Sequence, residues 1–203
     1  MPKAKGRNAD MRQATRSAIL AAAKSLFEAH GFDAVSAQAI AEAAGVSHGA
    51  VFDHFGSKRA LFIAVHDAWQ DALVARIAEA VAGDGEPWAR FSAIWRAYLS
   101  STEDPAMRQI LLLDGPRVIG LAEMRARDRE SAFAFFHEEV ASLIQAGLIQ
   151  PMDSHGLAIL LFGALDQAAF ELADFPEDAT LRTRLLTSME AVMAALRTKP
   201  PAP

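Results

Sequence analysis

The sequence predicts an all-α fold: a small N-terminal head of three helices, joined by a long helix to a larger helical body. Apolar residues recur at spacings of three and four along almost the whole chain, and no alternating run of strand type occurs. Short helical patterns separated by Gly and Ser signals crowd the stretch from Thr15 to Phe62. Leu61, Phe62, Val65, Trp69, Leu73, Ile77 and Val81 then keep one helical face without interruption.

Taken in order, Met1 to Asp10 has no periodicity and is expected to be a mobile arm. Thr15, Ile19, Ala22, Ala23, Leu26 and Phe27 line one face of a first helix, which Gly31 ends. Phe32 and Val35 plug the corner before a second helix, Ala37 to Ala44, with Ser36 as its N-cap and Ile40 facing inward. Gly45 breaks that helix, and Ser47 caps a third one reaching Phe55. A helix, a tight turn containing Gly and a second short helix form the helix-turn-helix pattern. Gly56 and Ser57 end the third helix and cap the long one, Lys58 to about Ala82.

The domains expected are a head over residues 11–57 and a body over 58–197. Gly83-Asp84-Gly85 is the clearest break in composition. Pro87 opens an aromatic-rich helix, and Asp104-Pro105 starts another. Asp114-Gly115-Pro116 reads as a turn, after which one helical run is expected from Val118 to the stop at Gly147. Two last helices, about Ser154 to Leu172 and Pro176 to Arg197, carry more apolar surface than one body of this size readily covers. Two readings stay open there, an intramolecular core and a face that meets a second copy of the chain. Thr198 to Pro203 is expected to be a disordered tail.

Composition narrows the function. With 52% hydrophobic residues in 203, the chain has ample material for a core, and without Cys it has neither disulfides nor thiolate metal sites. The longest unbroken apolar run, Gly156 to Leu165, falls short of the roughly 20 residues that span a bilayer. No signal peptide is visible, so a cytoplasmic protein without membrane contact is expected. Residues 1–59 hold eight Lys or Arg against five acids, while the remainder is acidic enough to bring the whole chain to −5. A phosphate backbone meets the local face, not the average charge.

Catalytic patterns are lacking. His66, His137 and His155 are isolated, His48 and His54 project to different sides of a short helix, and no metal or cofactor motif occurs. Gly45, Gly49 and Gly56 do not make a phosphate loop. For DNA the residue types fit better: the third helix can enter a major groove N-terminus first, with His48 facing base edges and Gly49 allowing close approach. Lys58 is expected to clamp phosphate, and Ser36 and Gln38 to meet the backbone. The same Ser36, Ser47 and Ser57 also serve as plain helix caps, and Phe52 and His54 also suit packed positions.

Residues 15–62 resemble the DNA-binding head of the TetR family of bacterial transcriptional regulators. The resemblance is carried by Thr15 to Leu20, Leu26-Phe27, Gly31-Phe32, Ile40-Ala41, Ala44-Gly45-Val46-Ser47, Phe52, His54-Phe55, Lys58 and Leu61. It implies a homodimer on a double-stranded operator of approximate two-fold symmetry, with repression relieved by a small-molecule effector bound in the body. By position, Ser36, Gln38, Ser47, His48, Gly49, Phe52, His54 and Lys58 fall where that family touches DNA. Phe52 departs from the family, which usually has a tyrosine there whose hydroxyl meets phosphate.

For the effector, Trp95, Tyr98, Met107, Leu111, Phe133, Phe136, His137 and Phe162 are candidates to line an apolar cavity, with Arg117 or Asp166 as polar anchor. Core packing explains any one of those aromatics as well. Homodimerisation is assigned to the last two helices, and no cofactor or metal is expected. A helical adaptor or structural dimer without operator binding, a small helical enzyme, and an activator are the other readings.

Overall fold

The computed structural model describes residues 3–83 and 85–198. All of its extended elements are helical: α1 (Lys3–Ala34), α2 (Ala37–Ala44), α3 (His48–Phe55), α4 (Lys58–Ala80), α5 (Pro87–Ser101), α6 (Pro105–Met107), a π-helical segment (Arg108–Asp114), α7 (Gly115–Val118), α8 (Leu121–Asp128), α9 (Ala132–Gln145), α10 (Ser154–Asp174) and α11 (Ala179–Leu196). One isolated antiparallel bridge joins Ile149 to Arg197. The all-α fold expected from the periodicity is the fold observed.

Two compact units divide the chain, one comprising Met1–Trp69 with Pro105–Met124, the other Gln70–Asp104 with Arg125–Pro203. The division falls inside α4 and gathers Pro105–Met124 with the head. In the first unit Ile19, Ala23, Phe27, Val35, Ile40, Val51, Leu61, Phe62 and Val65 are buried. Phe27, Phe32 and Phe62 meet as a triangle, with ring centroids 5.3–5.8 Å apart. In the second unit Phe91, Ile94, Trp95 and Leu99 of α5 are buried, as are Phe136, Val140 and Leu143 of α9 and Leu157, Leu161 and Leu165 of α10.

Several boundaries differ from the sequence reading. The expected N-terminal arm is helical from Lys3 onward, while Met1 and Pro2 lie outside the described residues. Asp114-Gly115-Pro116 is not a turn: the chain stays helical from Pro105 to Val118, and the wider π segment accommodates Pro116, which can neither donate an amide nor sit close over the preceding turn. The run expected from Val118 to Gly147 is broken at Gly120, which has φ 92°, and again between α8 and α9. The last helix starts at Ala179, because Asp178 caps it by accepting from the Leu181 amide at 2.8 Å.

Asp84 of the expected linker lies outside the described residues, as do residues 199–203 of the expected tail. Thr198 itself is held, its amide donating to Leu148 O at 2.9 Å and its hydroxyl to Gly147 O at 2.7 Å. By length and composition α10 would suffice to cross a membrane. It carries Asp166 and buries Leu157, Ala158, Leu161, Leu165, Ala168, Ala169 and Leu172 within the second unit, as a core helix does.

Candidate DNA-reading head and effector body

The head is built from caps. Ser36 adopts extended backbone and its hydroxyl accepts from the Ala39 amide at 3.0 Å, which starts α2. Gly45, with φ 66°, closes α2 in the left-handed conformation that favours glycine, and Val46 N returns to Ala41 O at 3.0 Å. Ser47 then caps α3 through the Ala50 amide at 3.3 Å. Val51 is the buried residue of α3, so the rest of this two-turn helix is left for other contacts.

Ser36, Gln38, Ser47, His48, Gly49 and Phe52 are all exposed. The His48 and Phe52 rings meet edge to face at 4.9 Å, making one polar-tipped aromatic projection from α3. A Cβ added at Gly49 would meet nothing within 4 Å among the described residues, so none of these demands glycine there. Gln38 donates to Glu42 at 2.7 Å across one turn of α2. His54 is half-buried and, with Asp53, Asn8, Met11, Arg12 and Thr15, lines an open cleft of about 610 Å³. Nearby, the Arg16 guanidinium stacks 4.6 Å over Phe55.

Lys58, expected to clamp phosphate, is also engaged within the head. Its ammonium donates to the carbonyls of Phe32 and Val35, both at 2.9 Å, and lies 4.0 Å over the Phe32 ring. Two of its three N–H groups are thereby used on the corner between α1 and α2. What it does in this geometry is fix the approach of α2 to the long helix.

The ten effector candidates do not fall in one unit. Met107, Leu111 and Arg117 belong to the first, the other seven to the second. Met107 and Leu111 are buried there as core. Arg117, expected as a polar anchor, pairs its guanidinium with Asp33 and Asp114 in the first unit. Among the remaining seven, Phe162 packs edge to face on Phe133 and Phe136 at 5.5 and 5.7 Å. His137 stacks on Phe133 at 6.0 Å and shares a 3.1 Å hydrogen bond with the Ser154 hydroxyl. Trp95 is buried, and among the described residues its indole N–H has no hydrogen-bond partner.

The polar centre of that group is Asp166, whose Oδ1 accepts from the Tyr98 hydroxyl at 2.9 Å. Burial pushes the Asp166 carboxyl up to about 7; the Tyr98 hydrogen bond and Arg125 pull the other way, and Asp128 adds to the rise. Burial, then the neighbouring Asp166, raises the Tyr98 phenol well above its usual range.

Sequence reading missed the residue that ties the π segment to the head. Asp114 is buried, and its Oδ2 accepts from the Phe32 amide at 2.7 Å and from Gln109 Nε2 at 2.9 Å. Arg59 similarly donates to Val118 O at 3.0 Å, to Ile119 O at 2.8 Å and to Glu123 at 2.7 Å. No local signal announces either, since the partners stand far apart in sequence.

A three-helix head with a capped α2–turn–α3 pair, followed through a long helix by a helical body, defines a helix-turn-helix DNA-binding regulator of transcription. The chain belongs to the TetR family. Residues 88–196, more than half of it, match the family model described as Tetracyclin repressor-like, C-terminal domain, and residues 19–65 match that of bacterial regulatory proteins, tetR family.

Over 188 residues the chain is 27% identical to the HTH-type transcriptional regulator UidR of Escherichia coli K12, covering 90% of this chain and 95% of UidR. It is 42% identical to the HTH-type transcriptional repressor AcnR of Corynebacterium efficiens over 71 residues, 35% of this chain and only 36% of AcnR. Among solved structures, a TetR-family transcriptional regulator from Pectobacterium atrosepticum superposes with a TM-score of 0.83 at 25% identity, covering 94% of this chain and 98% of that one. RolR in complex with resorcinol shares the fold at a TM-score of 0.71 and 15% identity, covering 96% and 98%.

Proposed function

We propose that the chain is a homodimeric repressor that reads an inverted-repeat operator with α3 and is released from it by a small, mostly apolar effector. The observation that carries this reading is the exposed surface formed by Ser47, His48, Gly49 and Phe52 on a capped two-turn helix. His48 reads base edges, and Gly49 lets the α3 backbone approach the groove. Ser36 and Gln38 meet the phosphate backbone at the start of α2, where helix amides are free of intrahelical partners. Phe52 packs beside His48, His54 borders the same surface, and Lys58 contributes by holding the corner behind them.

The effector site is proposed within the second unit, among Trp95, Tyr98, Phe133, Phe136, His137, Phe162 and Asp166. Support comes from the aromatic packing and from one half-buried carboxyl among those rings. Structures of two relatives in the fold carry resorcinol and, for the Thermus thermophilus FadR, lauroyl-CoA, which are both partly apolar molecules. Dimerisation is assigned to α10 and α11, where Ile159, Leu160 and Val192 are exposed. Because α4 begins in the head and ends beyond Trp69, operator and effector that select different settings of α4 weaken one another by linkage.

Selection of bound sequences from a randomised duplex pool, followed by salt titration on the winner and a scrambled control, tests the operator reading. An inverted repeat bound far above the control is expected. Equal weak binding to both duplexes, lost together as salt rises, would replace it with the adaptor reading. Operator affinity that stays constant at every concentration of a molecule known to bind the body would remove the effector step.

A further inference from the structure

We propose that Asp114 is a positioning residue for operator reading: from the π-helical segment its carboxylate holds the Phe32 amide, and a change of that segment to α register withdraws it and loosens the corner that orients α2 and α3. This rests on the operator reading above, and every residue it uses belongs to the first unit.

The corner needs an outside acceptor. At Gly31 the backbone leaves helical geometry, with φ 74° and ψ 169°, which breaks the helical ladder just ahead of the Phe32 amide. Asp114 Oδ2 supplies one at 2.7 Å. From the other side, Lys58 takes the carbonyls of Phe32 and Val35. Ser36, the cap of α2, is the next residue. One carboxylate and one ammonium thus hold the polar backbone groups of the corner from which α2 leaves.

The Asp114 carboxylate is itself placed by Gln109, at 2.9 Å, and by Arg117, which also reaches Asp33 beside the corner. The packing is close enough that a Cβ at residue 31 would lie 2.9 Å from Gln109 Nε2. Any side chain there would displace the glutamine or the corner.

The α register is the alternative setting of the π segment, and Pro116 disfavours it. Gly115 N bonds back to Ile110 O in the wide register, and Pro116 has no amide to offer the narrower one. A change by one residue turns a side chain by about 100° around the helix axis, which carries the Asp114 carboxylate away from Phe32. His66 of α4 faces this segment: a Cβ on Gly115 would lie 3.2 Å from its Nε2. Its ring is buried and among the described residues neither nitrogen finds a hydrogen-bond partner, Asp67 Oδ1 standing 3.6 Å from Nδ1. An unmade buried bond of this kind favours any rearrangement that brings an acceptor or donor to the ring.

The experiment compares the full-length chain with Asp114→Ala, Asp114→Asn and Pro116→Ala. It measures affinity for the selected operator, affinity for a scrambled duplex, and hydrogen exchange of the Phe32 amide with and without operator. Asp114→Ala is expected to lose at least tenfold in operator affinity and to speed Phe32 exchange, with scrambled-duplex binding unchanged. Asp114→Asn, which keeps an acceptor oxygen, is expected to restore most of both. Pro116→Ala, which supplies the amide that the α register needs, is expected to shift both readouts in the direction of Asp114→Ala.

Should Asp114→Ala not fold, the wild-type chain decides, since operator must slow Phe32 exchange, and unchanged exchange overturns the proposal. Operator affinity in Asp114→Ala equal to wild type overturns it as well, and no effect of Pro116→Ala overturns the register change. A wild-type chain that prefers no duplex over the scrambled one brings down the operator reading itself, a result distinct from these.

Discussion

Lys58 Nζ stands 2.9 Å from the carbonyl oxygen of Phe32 and 4.0 Å over the centre of that residue's ring. One ammonium thus joins α4 to the corner after α1 by two backbone hydrogen bonds, counting Val35, and by its attraction to the aromatic face. Replacing it with methionine keeps the aliphatic stem and removes all three. Lys58→Met is expected to cost about 2 kcal/mol of stability. Thermal unfolding followed by circular dichroism should show a melting point lower by about 5 °C; a variant as stable as wild type would mean that the two carbonyls are served equally well by water.

Gly49 separates folding from function. Its backbone is helical and a Cβ meets open space, so alanine fits the protein without strain. Gly49→Ala should raise stability by about 0.5–1 kcal/mol, because glycine loses more backbone freedom in a helix. Operator affinity should nevertheless fall, by about tenfold, if the α3 backbone closes on the groove. Urea unfolding and operator titration on the same preparation check both halves. A variant that gains stability and keeps full affinity would place α3 farther from the bases than proposed.

The half-buried carboxyl of Asp166 sets a pH dependence. Burial first, and Asp128 second, raise it to about 7 from 3.8, against the Tyr98 hydrogen bond and Arg125. Between those values the folded chain keeps a proton that the unfolded chain has lost. Stability from this group is therefore fully present below about pH 4, falls as the pH rises toward 7 and is flat above it. Asp166→Asn preserves a neutral side chain of the same shape, so its advantage over wild type should grow from pH 5 to pH 8.5, by about 2–3 kcal/mol. Urea unfolding of both chains at the two pH values measures the difference. An advantage that does not change with pH would mean that the carboxyl is ionised throughout.

What the sequence made legible was local. Ser36, Ser47 and Ser57 each cap the helix that follows, and Gly45 and Gly56 end the helices before them, because a hydroxyl three residues from an amide and a positive φ are properties of adjacent residues. The apolar periodicity likewise reached the core through Ile19, Phe27, Ile40 and Val51. Asp114 was misread because Asp-Gly-Pro is a turn signal by itself, and the acceptor role depends on an amide 82 positions away. The pairing of Arg117 with Asp33 was hidden for the same reason, the two lying 84 positions apart. The aromatic candidates of the body were legible as apolar, but their spacing says nothing of which rings meet.

The exposed face of α10 supports the final prediction. Leu160 is 72% exposed and Ile159 53%, although both lie in a helix whose other faces are buried, and Val192 of α11 is 51% exposed. Gly163 and Ala164, one turn beyond Leu160 and Ile159, are exposed too, so a second helix meeting this face would find no bulky side chain in its way. Burying one leucine of this kind is worth about 1.5–3 kcal/mol, and two-fold symmetry applies the gain twice. Leu160→Asp should therefore turn a dimer into a monomer at micromolar concentration, since two carboxylates would have to be desolvated facing each other. Sedimentation velocity reads the oligomeric state, while circular dichroism checks that the helices persist. The same variant should bind an isolated half-site as wild type does and lose the full inverted repeat. A Leu160→Asp chain that stays dimeric would move the interface off this face of α10.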